Sequence, residues 1–247
     1  IPDAVKAIYM TACVAGTPSF REKLVKIAKE TEINSIIIDI KDYSGTISFE
    51  PENPILKENG GMGCRAKDMR EFIEMLHKNG IYVIGRLTVF QDPYYTKKRP
   101  DLAVRKLSDG GVWKDRKGLA FIDVGAKEYW DYIVALSNES YGIGFDELNF
   151  DYVRFPSDGD MKDVNFTWSK GKIKADALEE FFAYLHKALK GTGPVLSVDL
   201  FGMTTTNTDD LNIGQVLEPA LPYFDYIAPM VYPSHYPPNF NGWKNPN

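Results

Sequence analysis

Two aspartates, Asp151 and Asp199, each close a short run in which apolar and polar residues alternate. Paired carboxylates suit acid–base work, because one group can hold a proton for delivery while the other stays charged beside the reacting centre. Similar runs carry Asp39, Lys41, Arg86, Glu147 and Asn149. Successive strand side chains point to opposite faces, so each run divides into two sets. Ile36, Ile38 and Ile40 oppose Ile37, Asp39 and Lys41; Val83, Leu87 and Val89 oppose Ile84, Arg86 and Thr88. Leu148 and Phe150 oppose Glu147, Asn149 and Asp151, while Leu196 and Val198 oppose Ser197 and Asp199. An isolated buried charge is expensive, so a polar set this large must pair internally or face a wet, ligand-binding mouth. Arg86 and Glu147 are the expected internal ion pair. Lys41 has the chemistry for a Schiff base, as in a lyase or aldolase, but Asp39 and Asp42 beside it favour an ion-paired lysine. Arg154 is placed to clamp a substrate hydroxyl or carboxylate, or to orient Asp151 and keep it ionised.

Periodicity defines the elements that must hold these residues. Strand-like runs lie at Val5 to Met10, Ser35 to Ile40, Tyr82 to Val89, Phe145 to Asp151, Val195 to Asp199 and Tyr226 to Val231. Helical stripes lie between them: Phe20, Leu24, Ile27 and Ala28; Met69, Phe72, Ile73 and Leu76; Leu178, Phe181, Phe182, Leu185 and Leu189. Each has the spacing of a helix with one buried face. Lys127 to Tyr141 reads as another helix, and Ile213, Val216 and Leu217 begin a short one that Pro219 kinks or ends. Asp92 to Gly125, with Trp113, and Gly159 to Lys172, with Trp168, read as polar loops beside the mouth. Alternating strands and helices argue for a parallel sheet with right-handed crossovers. At 247 residues the chain has the size of one α/β barrel. The expected fold is a TIM (β/α)8-type barrel, a single domain over residues 1–247, with six βα units visible. Its strand ends are where such barrels keep their chemistry. Six strands leave two unpaired edges, so further chain or another segment is expected to close the gap.

Composition narrows the partners. The net charge of −5 offers no attraction to a nucleic-acid backbone. No run approaches the ~18 apolar residues of a membrane span. Aromatic residues make up 13% of the chain, enough to supply sugar-stacking platforms as well as a core. Gly60-Gly61-Met62-Gly63 lacks the Lys-Ser/Thr of a phosphate loop and reads as a turn before the helix at Lys67. There is no HxH or HExxH pairing, so no zinc site is expected; Asp/Glu clusters alone could hold Mg²⁺ or Ca²⁺, but the reading calls for neither metal nor cofactor. His77 and His186 read as helix-surface residues, whereas His235 follows the sixth strand near the mouth, as a ligand contact or a loop histidine. Cys13 and Cys64 follow neighbouring strands, which makes a disulfide geometrically possible. The chain opens at Ile1 rather than Met, so targeting information is expected upstream.

Ile36-Ile-Ile-Asp-Ile-Lys-Asp42 and Phe145-Asp-Glu-Leu-Asn-Phe-Asp-Tyr-Val-Arg-Phe-Pro-Ser-Asp158 resemble signatures of a mostly bacterial family of glycoside-hydrolase-like barrel domains. So do Asp199-Leu-Phe-Gly202, Ile213-Gly-Gln215 and Ile227-Ala-Pro-Met-Val-Tyr-Pro-Ser-His-Tyr236. The resemblance implies a TIM barrel, a sugar-polymer substrate, an extracellular or cell-envelope setting, and further strands after Asn245-Pro-Asn247. A more distant similarity is to family-18 chitinases, whose fourth strand reads Asp-x-x-Asp-x-Asp-x-Glu. Laid on Asp146, Asn149 and Asp151, that pattern puts Val153 where the acid Glu belongs. The expected function is therefore a glycoside hydrolase with Asp151 as nucleophile or charge stabiliser and Asp199 as acid. Their carboxyl groups should lie roughly 5 to 7 Å apart. Asp39, Lys41, Arg86, Glu147, Asn149, Arg154 and His235 would contact substrate, and Trp113, Trp168, Tyr152 and Tyr232 would line subsites. The alternative is a barrel that binds glycan without cutting it.

Overall fold

The computed structural model describes residues 1–59, 63–191, 193–233 and 238–245, the side chains of Asn59 and Asn241 excepted. Six strands form one parallel sheet: β1 (Ala7–Met10), β2 (Ser35–Lys41), β3 (Tyr82–Thr88), β4 (Glu147–Asp151), β5 (Val195–Phe201) and β6 (Tyr226–Met230). Their spatial order is their chain order, so the sheet curls into a half-barrel of the TIM type, with β1 and β6 at its edges. Helices α1 (Pro18–Glu30), α2 (Met69–Lys78), α3 (Lys127–Ile143) and α4 (Lys174–Leu189) supply the first four crossovers, and the short helix Leu217–Ala220 lies in the fifth.

The apolar strand sets build the core. Ile36, Ile38, Val83, Leu87, Leu148, Phe150 and Val198 are fully buried, in one cluster with Phe72, Ile73 and Leu76 of α2 and Phe181 and Leu185 of α4. Burying each such side chain contributes about 1.5–3 kcal/mol. The periodicity of α2 and α4 thus marks their inner faces. In α1 the stripe is different: Val25 and Ala28 are buried, whereas Phe20 and Ile27 are 54% and 45% exposed. Arg21 takes the inner position instead, its guanidinium 4.5 Å from the Phe72 ring centroid and bonded to Asp68.

Two further features depart from the sequence reading. The register between β2 and β3 runs Asp39 to Arg86, then Lys41 to Leu87, so Ile40 is an extra residue. This irregularity places Lys41 beside Leu87, a residue of the outer set, instead of on the inner face. The segment after β3 is no open loop. It folds back through isolated bridges such as Ala103 to Ile122 and Lys114 to Ala120, and Arg105–Lys106 pairs antiparallel with Val164–Asn165. Val104, Trp113 and Phe121 form a small core of their own beneath it.

Cys13 and Cys64 are joined in a disulfide, with Cα atoms 4.7 Å apart. The bridge ties the turn after β1 to the approach to α2, closing 51 residues of chain. Loop-closure entropy for that length is worth about 4 kcal/mol. Reduction should therefore lower the denaturant midpoint by a corresponding amount, measured with and without dithiothreitol. Finding two titratable thiols in the denatured, unreduced protein would overturn this.

Candidate active site

The inner face of the sheet bounds a cavity of about 710 Å³ whose walls include Tyr9, Arg86, Glu147, Asn149, Asp151 and Asp199. A second cavity of about 510 Å³ adjoins it, sharing Arg86, Asp151 and Tyr232 and extending to Tyr152, Arg154 and Phe201. Asp151 stands where the two meet.

Arg86 organises the centre. Its Nη1 donates to Asp39 Oδ1 at 2.9 Å, and its Nε donates to Asp151 Oδ2 at 3.1 Å, with Nη2 donating to that same oxygen. The other Asp151 oxygen accepts the Tyr152 N–H at 2.6 Å. The Tyr9 hydroxyl donates to Asp39 Oδ2, so four adjacent strands contribute to one chain of contacts. Burial pushes the Asp39 carboxyl up from its ordinary pKa, opposed by the Tyr9 hydroxyl and the Arg86 charge. The expected Arg86–Glu147 pair is absent. Glu147 sits opposite Ile84, one inward position below Arg86, and accepts the Tyr82 hydroxyl at 3.2 Å. Burial raises its pKa too.

Asp199 lies across from Asp151. The β4–β5 register pairs Phe150 with Val198, so the two aspartates follow at the next positions of adjacent strands, whose backbones run ~4.8 Å apart. Asn149 spans the strands below them, its Nδ2 donating to Asp199 Oδ1 at 3.0 Å and to Ser197 Oγ at 3.2 Å. Burial, and then the charge of Asp151, push the Asp199 carboxyl up to about 7. The two acids thus have unlike surroundings: one is gripped by a guanidinium and the other favours its protonated form.

The remaining sequence candidates divide. Tyr152, Arg154 and Tyr232 line the second cavity. Arg154 makes no ion pair with Asp151, whose cation is Arg86. Lys41 is enclosed outside the cavity, 3.0 Å from Asp92 Oδ2, donating also to the Thr88 carbonyl, with the Tyr129 ring 5.9 Å away. Burial lowers its pKa, as in amine nucleophiles, but the register shift at Ile40 removes it from any substrate, and the Schiff-base reading goes with it. Trp113 is 2% exposed in its own small core, with its indole N–H donating to the Asp160 carbonyl, so it lines no subsite. Trp168 lines neither cavity, and its indole donates to the Asp101 carbonyl. His235 and the glycine run at 60–62 lie outside the described residues. The sequence reading missed Tyr9, which the same alternation applied to β1 would have found. It also missed Phe201, which ends β5 and continues the alternation of Ser197 and Asp199, and Asp92, which lies beyond β3 and carries no periodic signal. Among the described residues no three His, Cys, Asp or Glu side chains are grouped to hold a metal, and no helix is long and apolar enough to cross a membrane.

A family model described as "Putative glycosyl hydrolase domain" matches residues 7–247. Among solved structures, a hypothetical protein from Ruminiclostridium thermocellum is 36% identical over 78% of this chain and 96% of its own, with a TM-score of 0.69. The PgaB (BpsB) glycoside hydrolase domain from Bordetella bronchiseptica shares 15% identity over 92% of this chain and 74% of that one, with a TM-score of 0.64. TtGalA, an alpha-galactosidase from Thermus thermophilus, shares 12% over 92% of this chain, which spans only 44% of that enzyme, with a TM-score of 0.57. At those identities the last two show a common fold. No curated protein matches the sequence.

Proposed function

The chain belongs to the family described as "Putative glycosyl hydrolase domain", and from that premise we propose that it cleaves glycosidic bonds in a polysaccharide or other glycan, with Asp151 and Asp199 as its carboxylate pair. The observation that carries the reading is the contrast between two inward carboxylates on adjacent strand ends. Arg86 gives Asp151 two N–H donors, an arrangement that holds a charged oxygen against the anomeric carbon. Asp199, pushed up by burial and by Asp151, keeps a proton for the leaving oxygen. In a retaining reaction Asp151 attacks the anomeric carbon as Asp199 protonates the departing sugar. Asp199, now a base, then takes a proton from the water that frees Asp151. Adjacent strand ends favour this route, because retention needs carboxyl groups only ~5–5.5 Å apart whereas inversion needs room for a water between them.

Reducing-sugar release from a panel of polysaccharides tests the reading, and NMR of the first-formed anomer tests retention. The pH dependence has a definite sign. A general acid works only while protonated, so turnover should be full below pH ~6 and fall about tenfold per unit once the pH passes Asp199's value near 7. Asp199→Asn should cost on the order of 10²–10⁴-fold and flatten that limb. A profile unchanged from pH 6 to 9 would remove Asp199 from the role. A second reading, glycan binding without cleavage, draws on Tyr226 and Tyr232, half-exposed rings on the cavity wall. Sugar binding with no turnover across the whole panel would favour it.

A further inference from the structure

Of the two arginines at the mouth, Arg86 is held by two carboxylates and Arg154 by none among the described residues. The backbone accounts for its direction. Tyr152 has φ 53°, the neighbouring Val153 and Phe155 are buried, and Arg154 between them lines the second cavity beside Asp151. Its guanidinium carbon lies 5.2 Å from the Tyr152 ring centroid, 5.4 Å from Phe201 and 5.8 Å from Phe121. Nη1 donates to the Phe155 carbonyl at 3.1 Å and reaches Ser157 Oγ at 3.4 Å, while Nε and Nη2 have no acceptor among the described residues. Asp151, Asp115 and Asp158 act on it only from beyond ion-pair distance, and Asp158 is paired with Arg116. A cation in a ring-lined recess, oriented by one nitrogen, keeps the two parallel N–H groups of Nε and Nη2 at the cavity wall without an acceptor among the described residues. That fork matches the two oxygens of a carboxylate better than a single hydroxyl, and ring faces alone repay little of the cost of burying the charge.

Resting on the glycosidase reading, we infer that Arg154 forms a subsite for a sugar carboxylate, so that the substrate is an acidic, uronate-containing glycan with its charged residue next to the bond attacked at Asp151. Binding of D-glucuronate and D-galacturonate, against D-glucose and D-galactose, tests this by NMR on the Arg154 Nε–H resonance. The uronates should move that resonance and bind about 10- to 100-fold more tightly than the neutral sugars. Arg154→Gln should abolish the preference. Should that variant fail to fold, Arg154→Lys, which keeps the charge but loses the fork, should lose most of the preference while melting at the wild-type temperature. Equal binding of charged and neutral sugars, or a preference that survives the substitutions, overturns the inference. Its fate is separable from that of the glycosidase reading. Cleavage of neutral polymers without uronate preference removes only this subsite, and uronate binding at Arg154 with no polymer cleaved removes only the hydrolase.

Discussion

Asp151→Asn should lower kcat by about 10⁴-fold on any glycan the protein cleaves, while melting temperature and sugar affinity change little. The substitution keeps the shape of the side chain and an oxygen for the Tyr152 N–H. In the proposed mechanism it removes the charge that meets the anomeric carbon. Arg86 keeps Asp39 as a counterion, so no bare cation is left behind. Calorimetric titration with the best substrate of the panel, set beside single-turnover rates, separates binding from chemistry. Near wild-type turnover would sink the assignment. A collapse in melting temperature would mean instead that the Arg86–Asp151 pair is a brace and the chemistry lies elsewhere.

The largest effect on stability is expected at Lys41→Met. Lys41 and Asp92 both have 0% of their side-chain surface exposed. Removing the lysine leaves a buried carboxylate whose remaining donors are the Tyr95 N–H and the Tyr129 hydroxyl. Breaking one side of a buried pair costs about 3–5 kcal/mol, which for a chain of this size lowers Tm by roughly 10 °C. Asp92→Asn in the same background should recover part of the loss, because it neutralises the stranded charge. Activity of the folded fraction should be unaffected, and borohydride should trap no substrate on Lys41. A stable but inactive Lys41→Met would place the lysine in the chemistry after all.

The difference between these two positions shows what the residue pattern could reveal. Strand alternation separated core from cavity correctly for Ile37, for Ile84 and Arg86, and for Glu147, Asn149 and Asp151, whereas Asp39, expected to contact substrate, is buried against Tyr9 and Arg86 and lines neither cavity. Those residues lie on regular strands, where a period of two follows directly from backbone geometry. Lys41 was misplaced because one extra residue at Ile40 breaks the period, and a bulge leaves no mark in an apolar run. The Arg86–Glu147 pairing failed for a related reason. Facing the same way fixes the side of the sheet but not the partner: the register sets Arg86 opposite Asp39 and Asn149, and its guanidinium reaches one inward position up to Asp151 instead of one down to Glu147. Trp113 is a subsite residue only if residues 92–125 form an open loop beside the mouth, whereas the folding of that segment into a small unit depends on long-range bridges. Phe20 and Ile27 fit a helical stripe, yet Arg21 takes the place against Phe72, because its stem packs while its head reaches Asp68.

The left-handed residue at Tyr152 decides which positions of the fourth strand can reach the mouth. Continued as a regular strand, the fourth strand would point positions 151 and 153 the same way, and a chitinase-like acid at 153 would join Asp151 in the mouth. The reversal at Tyr152 inverts that parity, sending Val153 into the core at 0% exposure and Arg154 outward. A glutamate at 153 would be buried among apolar side chains, so this backbone favours an apolar residue there. Once the chain turns in this way, one strand can no longer furnish both acids. In the proposed hydrolase the second comes from the neighbouring strand end, which holds Asp199.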